Sequence, residues 1–294
     1  MGVHIRTGSG LPAAARHADE IGSTSYQIMS GNPSAWNPGV LDSGQVEKYR
    51  KLVAEKKLGP VFLHAGYLIN LSCRTGRNAP IYGKSIKLLQ ENIDRAAILG
   101  CEYVVVHMGS RRGGAADKAL KALVEGIGRL HPTVPDRLPD ETEPPGPPML
   151  LLENSAGSGD MVGASFKELG EVLGAAEVHG VRMPLGICLD TAHMWGAGYD
   201  ISSKKRVDII VEEFDRYVGL ERLKLVHFND SPVELGSRRD KHEHPGCGLI
   251  PMAGLRAFAR HEKLCPVPLI METPGSTNPT DEERMADLRA LAGS

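Results

Sequence analysis

Eight times along the chain a short apolar run is followed by a stretch whose apolar positions recur at helical spacing, and this alternation limits the fold more than any other feature. The runs occupy 2–6, 25–29, 60–64, 103–107, 149–153, 185–190, 223–228 and 267–272. The helical stretches occupy 11–21, 43–57, 81–99, the residues from Gly114 to about 130, 165–178, 201–218, 252–261 and 280–291. Ser43 is expected to cap the second helix and Asp200 the one that starts at 201. Strands that alternate with helices make a parallel sheet with helical crossovers. Eight such units in 294 residues suit a closed (β/α)₈ barrel, which leaves no sheet edge. An open dinucleotide-binding sheet is disfavoured because no G-x-G-x-x-G follows the first run. The expectation is an α/β chain forming one TIM-barrel domain over 1–294. Residues 131–148 are proline-rich and acidic, and read as a flexible loop joining a helix to the next strand.

Composition excludes several classes. A formal charge of −2 rules out a globally basic nucleic-acid binder, so any DNA footprint must be local. The five cysteines (Cys73, Cys101, Cys188, Cys247 and Cys265) form no C-x-x-C pair and read as reduced thiols. The chain opens on no signal-like segment and holds no apolar run of about 18 residues, so a cytoplasmic location without a membrane is expected. A monomer is expected as well.

In a barrel of this kind chemistry collects where strands end, and here the ends are chemically alike. The third to eighth runs close on His64, His107, Glu153, Asp190, His227 and Glu272. His193 follows Asp190 by three residues in what reads as a turn, and Asp240 and His242 follow the seventh strand as D-x-H. One histidine at a strand end is ordinarily a satisfied core or capping group. Six consecutive strands ending in His, Asp or Glu fit that reading poorly. Burying four carboxylates together without cations is strongly unfavourable. Imidazole with carboxylate is a donor set for Zn²⁺ or Mn²⁺. Catalytic zinc usually takes three protein ligands, so nine candidates suit two or three ions with a bridging carboxylate. Such a centre stays net positive and favours an anionic substrate such as a phosphate ester.

At this point the residues resemble a known family. The blocks V-F-L-H-A-G-Y-L-I-N-L (61–71), V-H-M-G-S (106–110), L-E-N-S-A-G-S-G (152–159), L-D-T-A-H-x-x-x-A-G-Y-D (189–200), V-H-F-N-D-S (226–231), R-D-K-H (239–242) and M-E-T-P (271–274) are similar to the endonuclease IV family of abasic-site endonucleases. The resemblance runs in order from Gly2 to Glu272. It implies three zinc ions per chain at the C-terminal face of the barrel. His64, His107 and Glu153 would hold the first ion; Glu153, Asp190, His227 and Glu272 the second; His193, Asp240 and His242 the third. Glu153, as the bridge, is the candidate catalytic residue. The implied reaction is hydrolysis of the phosphodiester 5′ to an abasic site in double-stranded DNA, with 3′-phosphatase and 3′-phosphodiesterase activity alongside.

Loops on the same face carry candidate DNA contacts: Arg74, Arg77, Arg111, Arg112, Arg238 and Arg239, and Tyr67, which matches an aromatic that the family inserts at the lesion. His4 and Asp230 are expected to support ligands rather than to be ligands. His17, His131, His179, His244 and His261 are left to the surface or core. Two positions depart from the family: Ser34 stands where an arginine often enters DNA, and Cys247 where an acidic residue is common. The competing reading is a sugar isomerase or epimerase on the same barrel. That enzyme uses one divalent ion and has no use for Asp240 and His242.

Overall fold

The computed structural model describes residues 1–74, 76–134, 146–274 and 279–293. Eight strands close a barrel in chain order: β1 (Gly2–Ile5), β2 (Tyr26–Ile28), β3 (Val61–His64), β4 (Tyr103–His107), β5 (Met149–Glu153), β6 (Leu185–Asp190), β7 (Leu223–His227) and β8 (Leu269–Met271). Every neighbouring pair is parallel, and β1 closes on β8. Helices α1 (Leu11–Glu20), α2 (Ser43–Glu55), α3 (Ala79–Leu99), α4 (Ala116–Ile127), α5 (Phe166–Val178), α6 (Thr191–Ala197), α7 (Lys204–Tyr217), α8 (Met252–Ala259) and α9 (Asp281–Ala292) connect them. This is a TIM barrel. None of the described helices is long and apolar enough to cross a membrane.

The expected alternation is present, with several element ends differing for local reasons. Pro60 and Pro268 have no N–H to give a ladder, so β3 starts at Val61 and β8 at Leu269. Asp42, not Ser43, caps α2, because its carboxylate accepts the Gln45 N–H at 2.8 Å. Asp200 spends its carboxylate on the Ser202 N–H at 3.0 Å, and extended Ser203 is the cap position of α7. His193 lies in the first turn of α6, not in an open turn: Asp190 ends β6 and caps that helix, accepting the His193 N–H at 2.7 Å. Of the proline-rich stretch, residues 135–145 lie outside the described residues; its ends join α4 to β5.

Side chains of a strand alternate between the barrel axis and the helices. Phe62, Val105, Leu151, Cys188, Leu225 and Ile270 form the interior cluster, all fully buried. The much larger outer core lies between barrel and helices, with Leu63, Val104, Leu152 and Val226 facing outward. Truncating one large interior residue such as Phe62 would cost about 3–5 kcal/mol. The register climbs around the barrel: Gln27 pairs with Phe62, His64 with Val105, Glu153 with Cys188 and His227 with Ile270. Each of these steps lifts the next strand's terminal residue, giving the stagger that a tilted barrel needs.

Candidate metal centre

The interior cluster decides what its strands present at the mouth. Two residues beyond Phe62, Val105, Leu151, Cys188, Leu225 and Ile270, and therefore again facing the axis, stand His64, His107, Glu153, Asp190, His227 and Glu272. His4 from β1 and Gln27 from β2 complete the ring: the Gln27 amide nitrogen lies 3.0 Å from His4 Nδ1 and donates to Glu272 Oε1. Six strands, β3 to β8, thus carry a polar group at or just beyond their ends over an apolar plug, and β1 and β2 add one from within the strand.

Glu153 is the hub. Its Oε2 lies 3.3 Å from both His64 Nε2 and His107 Nδ1, and its Oε1 lies 3.0 Å from His227 Nδ1. Donor atoms of His64, His107 and Glu153 fall within 4.8 Å of one another, as do those of Glu153, Asp190, His227 and Glu272, and those of Asp190, His193 and His242. Asp240 joins the last group from outside, its Oδ1 3.1 Å from His193 Nε2 and 3.5 Å from His242 Nε2. Glu153 and Asp190 are buried, whereas the Asp240 side chain is 54% exposed, so the expectation of four buried carboxylates is corrected at that position. Cys188, not anticipated here, also reaches Glu153 and His227, but burial pushes its thiol up to about 12.

The loop after β7 is held by Asp230, which is buried and accepts four backbone N–H groups, from Ser231, Gly246, Gly248 and Ile250, at 2.7–3.0 Å. A Cβ at Gly248 would meet Asp230 Oδ1 at 2.4 Å, so only glycine fits there. Asp230 is therefore a support, as its position implied. Cys247, between the two glycines, is exposed.

Hydrogen bonds to backbone carbonyls fix the tautomer of three of the rings. His64 Nδ1 sits 2.8 Å from the Ala65 carbonyl, His193 Nδ1 3.0 Å from the Asn154 carbonyl, and His242 Nδ1 3.3 Å from the Glu272 carbonyl. A carbonyl only accepts, so each Nδ1 carries the proton, and in the neutral ring each Nε2 turns a lone pair toward carboxylate oxygens. Lone pairs facing lone pairs repel unless a cation lies between them. Without a metal, that cation is a proton. Burial opposes a charge on His193, yet Asp190, Asp240 and Glu153 push its pKa up to about 10. Burial likewise opposes ionisation of Glu153, but His107 and His227 hold it well below the usual carboxylate range. Glu272 is brought down to about 2, burial again being outweighed, here by His227 and His64. Imidazole nitrogens and carboxylate oxygens, oriented from behind by carbonyls, are what a divalent metal requires, so the donor set fits such ions.

A groove of about 1180 Å³ opens over the cluster and runs from His107 and Asp240 across His4 to Arg284 on α9. Tyr67 stands on its rim, 59% exposed, with its backbone N–H bonded to the Pro33 carbonyl at 2.9 Å. Exposed Ser34 follows Pro33, so both loops form one edge. The arginines are not gathered there. Arg74 pairs with Glu125 on α4, and the side chain of Arg77 lies outside the described residues. Arg111 and Arg238 line a separate hollow of about 410 Å³, with Arg111 3.9 Å from Asp160. Arg112 and Arg239 are exposed on the loops after β4 and β7. His244 and His261 pair with Asp287 and Asp208, away from the cluster, and His17 pairs with Asp281 in the wall of the same groove. Sequence reasoning missed Gln27, Asn154 and Asn229. The Asn229 amide donates to Asp190 Oδ2 at 2.6 Å, and Asn154 Oδ1 accepts the Asp190 N–H at 2.6 Å. The available signal was a polar residue inside an apolar strand, or directly after one.

Fold and cluster define a barrel of the xylose isomerase-like TIM barrel family, whose sequence model matches residues 15–292. A protein of Oleidesulfovibrio alaskensis described as "Probable endonuclease 4" is 40% identical over 299 residues, covering 99% of this chain and 95% of that protein. The crystal structure of endonuclease IV from Thermus thermophilus superimposes with a TM-score of 0.81 at 33% identity, covering 99% of this chain and 98% of that one. The chain belongs to the endonuclease IV family. A D-tagatose 3-epimerase-like protein shares the fold alone, with a TM-score of 0.65 at 15% identity over 100% of this chain and 98% of that one.

Proposed function

We propose that the chain is a DNA-repair endonuclease that hydrolyses the phosphodiester 5′ to abasic sites in duplex DNA, with three zinc ions held by the nine residues above. The observation that carries this reading is the hub. One carboxylate, Glu153, faces His64 and His107 with one oxygen and His227 with the other, and a third group built on His193, Asp240 and His242 adjoins it. His64, His107 and Glu153 would hold one ion, Glu153, Asp190, His227 and Glu272 a second, and His193, Asp240 and His242 a third. When bound, the ions supply Lewis acidity toward a phosphoryl oxygen and its leaving group.

The chain's own residues do the rest. Carbonyls of Ala65, Asn154 and Glu272 hold the imidazoles in one tautomer and one orientation. Asn154 and Asn229 lock the Asp190 carboxylate and its backbone. Tyr67 offers an exposed ring at the groove edge, where it can fill the space of a missing base. Arg111, Arg112, Arg238 and Arg239 stand on neighbouring loops as contacts for backbone phosphates. A single-metal sugar isomerase leaves the third group without a role.

Metal analysis of protein purified without added metal tests the reading, together with incubation on matched abasic and intact duplexes without Mg²⁺. About three equivalents of zinc and cleavage confined to the abasic duplex are expected, from ligand counting at three protein donors per ion. A 3′-phosphate end offered to the same preparation is expected to be dephosphorylated. About one Mn²⁺ or Mg²⁺ per chain with no cleavage would replace this reading by the isomerase.

A further inference from the structure

Gln27 lies fully buried inside the barrel, in the middle of β2, with every hydrogen-bonding group of its amide engaged. Its nitrogen donates to Glu272 Oε1 and to His4 Nδ1, and its oxygen lies 2.8 Å from His227 Nε2. These contacts leave one assignment. A carboxylate offers only lone pairs, so the amide atom that meets Glu272 is the nitrogen, and the atom that meets His227 is the oxygen. An amide oxygen cannot donate, so His227 Nε2 must carry a proton. In the neutral ring His227 Nδ1 is then bare, and it lies 3.0 Å from Glu153 Oε1 and 3.0 Å from Glu272 Oε2. One buried amide thereby orients both His227 and Glu272, which themselves lie 3.0 Å apart. For His227 this side chain on β2 does what backbone carbonyls do for His64, His193 and His242.

We infer that Gln27 is a positioning residue for metal binding: it selects the His227 tautomer whose Nδ1 can ligate and holds Glu272 turned toward the same ion. The inference rests on the metal-dependent reading above. Without the amide, His227 is free to carry its proton on Nδ1, between the two carboxylates, where it excludes the metal. Glu272 also loses the donor that holds it turned.

Gln27→Met keeps the volume and removes all three hydrogen bonds. Zinc affinity by competition with a graded chelator is expected to fall about 10- to 100-fold at one site, the range for residues that orient a ligand. The kcat on abasic duplex should fall while KM stays within about threefold, because Gln27 does not face DNA. A spectroscopic measurement on the zinc-loaded wild type needs no variant: ¹⁵N-histidine correlation should show His227 protonated at Nε2 and metal-bound at Nδ1. Wild-type affinity and kcat in folded, zinc-loaded Gln27→Met would overturn the inference, as would a His227 protonated at Nδ1. A wild type that binds no zinc overturns the functional reading together with it, whereas a loaded wild type with an unaffected variant overturns this inference alone.

Discussion

Replacing Glu153 by glutamine changes one atom and one charge at the side chain that two of the three groups share. The carboxylate is 1% exposed, with its two oxygens 3.3 Å from His64 Nε2 and His107 Nδ1 and 3.0 Å from His227 Nδ1. Glutamine must turn its NH₂ to one of these sides, where it donates to a lone pair meant for a metal. The lost charge sets the larger magnitude. At an effective dielectric of about 20, unit charges about 4 Å apart interact by about 4 kcal/mol. That corresponds to roughly a thousandfold in rate if the interaction is lost at the reacting centre. Single-turnover cleavage of an abasic duplex, with zinc content measured on the same preparation, is the assay. Turnover should drop by about three orders of magnitude while far-UV circular dichroism stays unchanged. A folded Glu153→Gln protein with full zinc content and activity within about threefold of wild type would refute the bridging role.

Tyr67→Ala should weaken binding to abasic duplex by about tenfold or more, equivalent to about 1.4 kcal/mol, and barely change affinity for intact duplex. Ser34→Arg in that background should restore part of the loss, since Ser34 and Tyr67 share one rim; equal weakening on both duplexes would make Tyr67 a general backbone contact. Metal-stripped protein should lose thermal stability as pH rises from about 6.5 to about 10. The His193 pKa is raised in the folded state, so its contribution is complete below 6.5 and vanishes through about 10. Glu272, lowered from 4.5 to about 2, gives the opposite limb, losing its contribution as pH falls through that interval. Thermal melts across pH check both limbs: a metal-stripped protein that gains stability between pH 7 and 10 would contradict the first, and one that gains stability as pH falls from 4.5 to about 2 the second.

The barrel was legible because parallel strands covered on both faces read as short apolar runs, and helices as a 3.6-residue pattern. Its closing ring was legible for a related reason. His64, His107, Glu153, Asp190, His227 and Glu272 each end or directly follow an apolar strand, and strand ends are where a barrel places polar groups. α6 escaped because its seven residues span too few turns to show periodicity, and all six from Thr191 to Gly196 are buried, which erases an amphipathic stripe. The cap of α2 fell on Asp42 rather than Ser43 because adjacent Asp and Ser residues compete for the same N–H groups, and only geometry decides between them; α7 starts at extended Ser203 because Asp200 spends its carboxylate on the Ser202 N–H. Gln27 escaped for a subtler reason: an amide has no charge and is not a usual zinc ligand, so its only mark in the sequence is that it is polar inside an apolar strand.

The contrast between ligands and DNA contacts follows from the same physics. The direction of the six candidate ligands at strand ends is dictated by strand alternation, over which a side chain has no choice. An arginine on a loop reaches several directions and settles on whatever charge is near. Arg74 has found Glu125, and Arg111 lies within 4 Å of Asp160, so these two guanidinium groups are partly neutralised before DNA arrives. Binding a phosphate there must break or share an existing pair, which reduces the gain to the small difference between two screened interactions. Arg112, Arg238 and Arg239 are exposed on the loops after β4 and β7 and face a smaller competing cost. Sequence alone ranks the six arginines equally, since each follows a strand on the same face. The carboxylates around them separate the two that pair with acidic residues, Arg74 and Arg111, from those three.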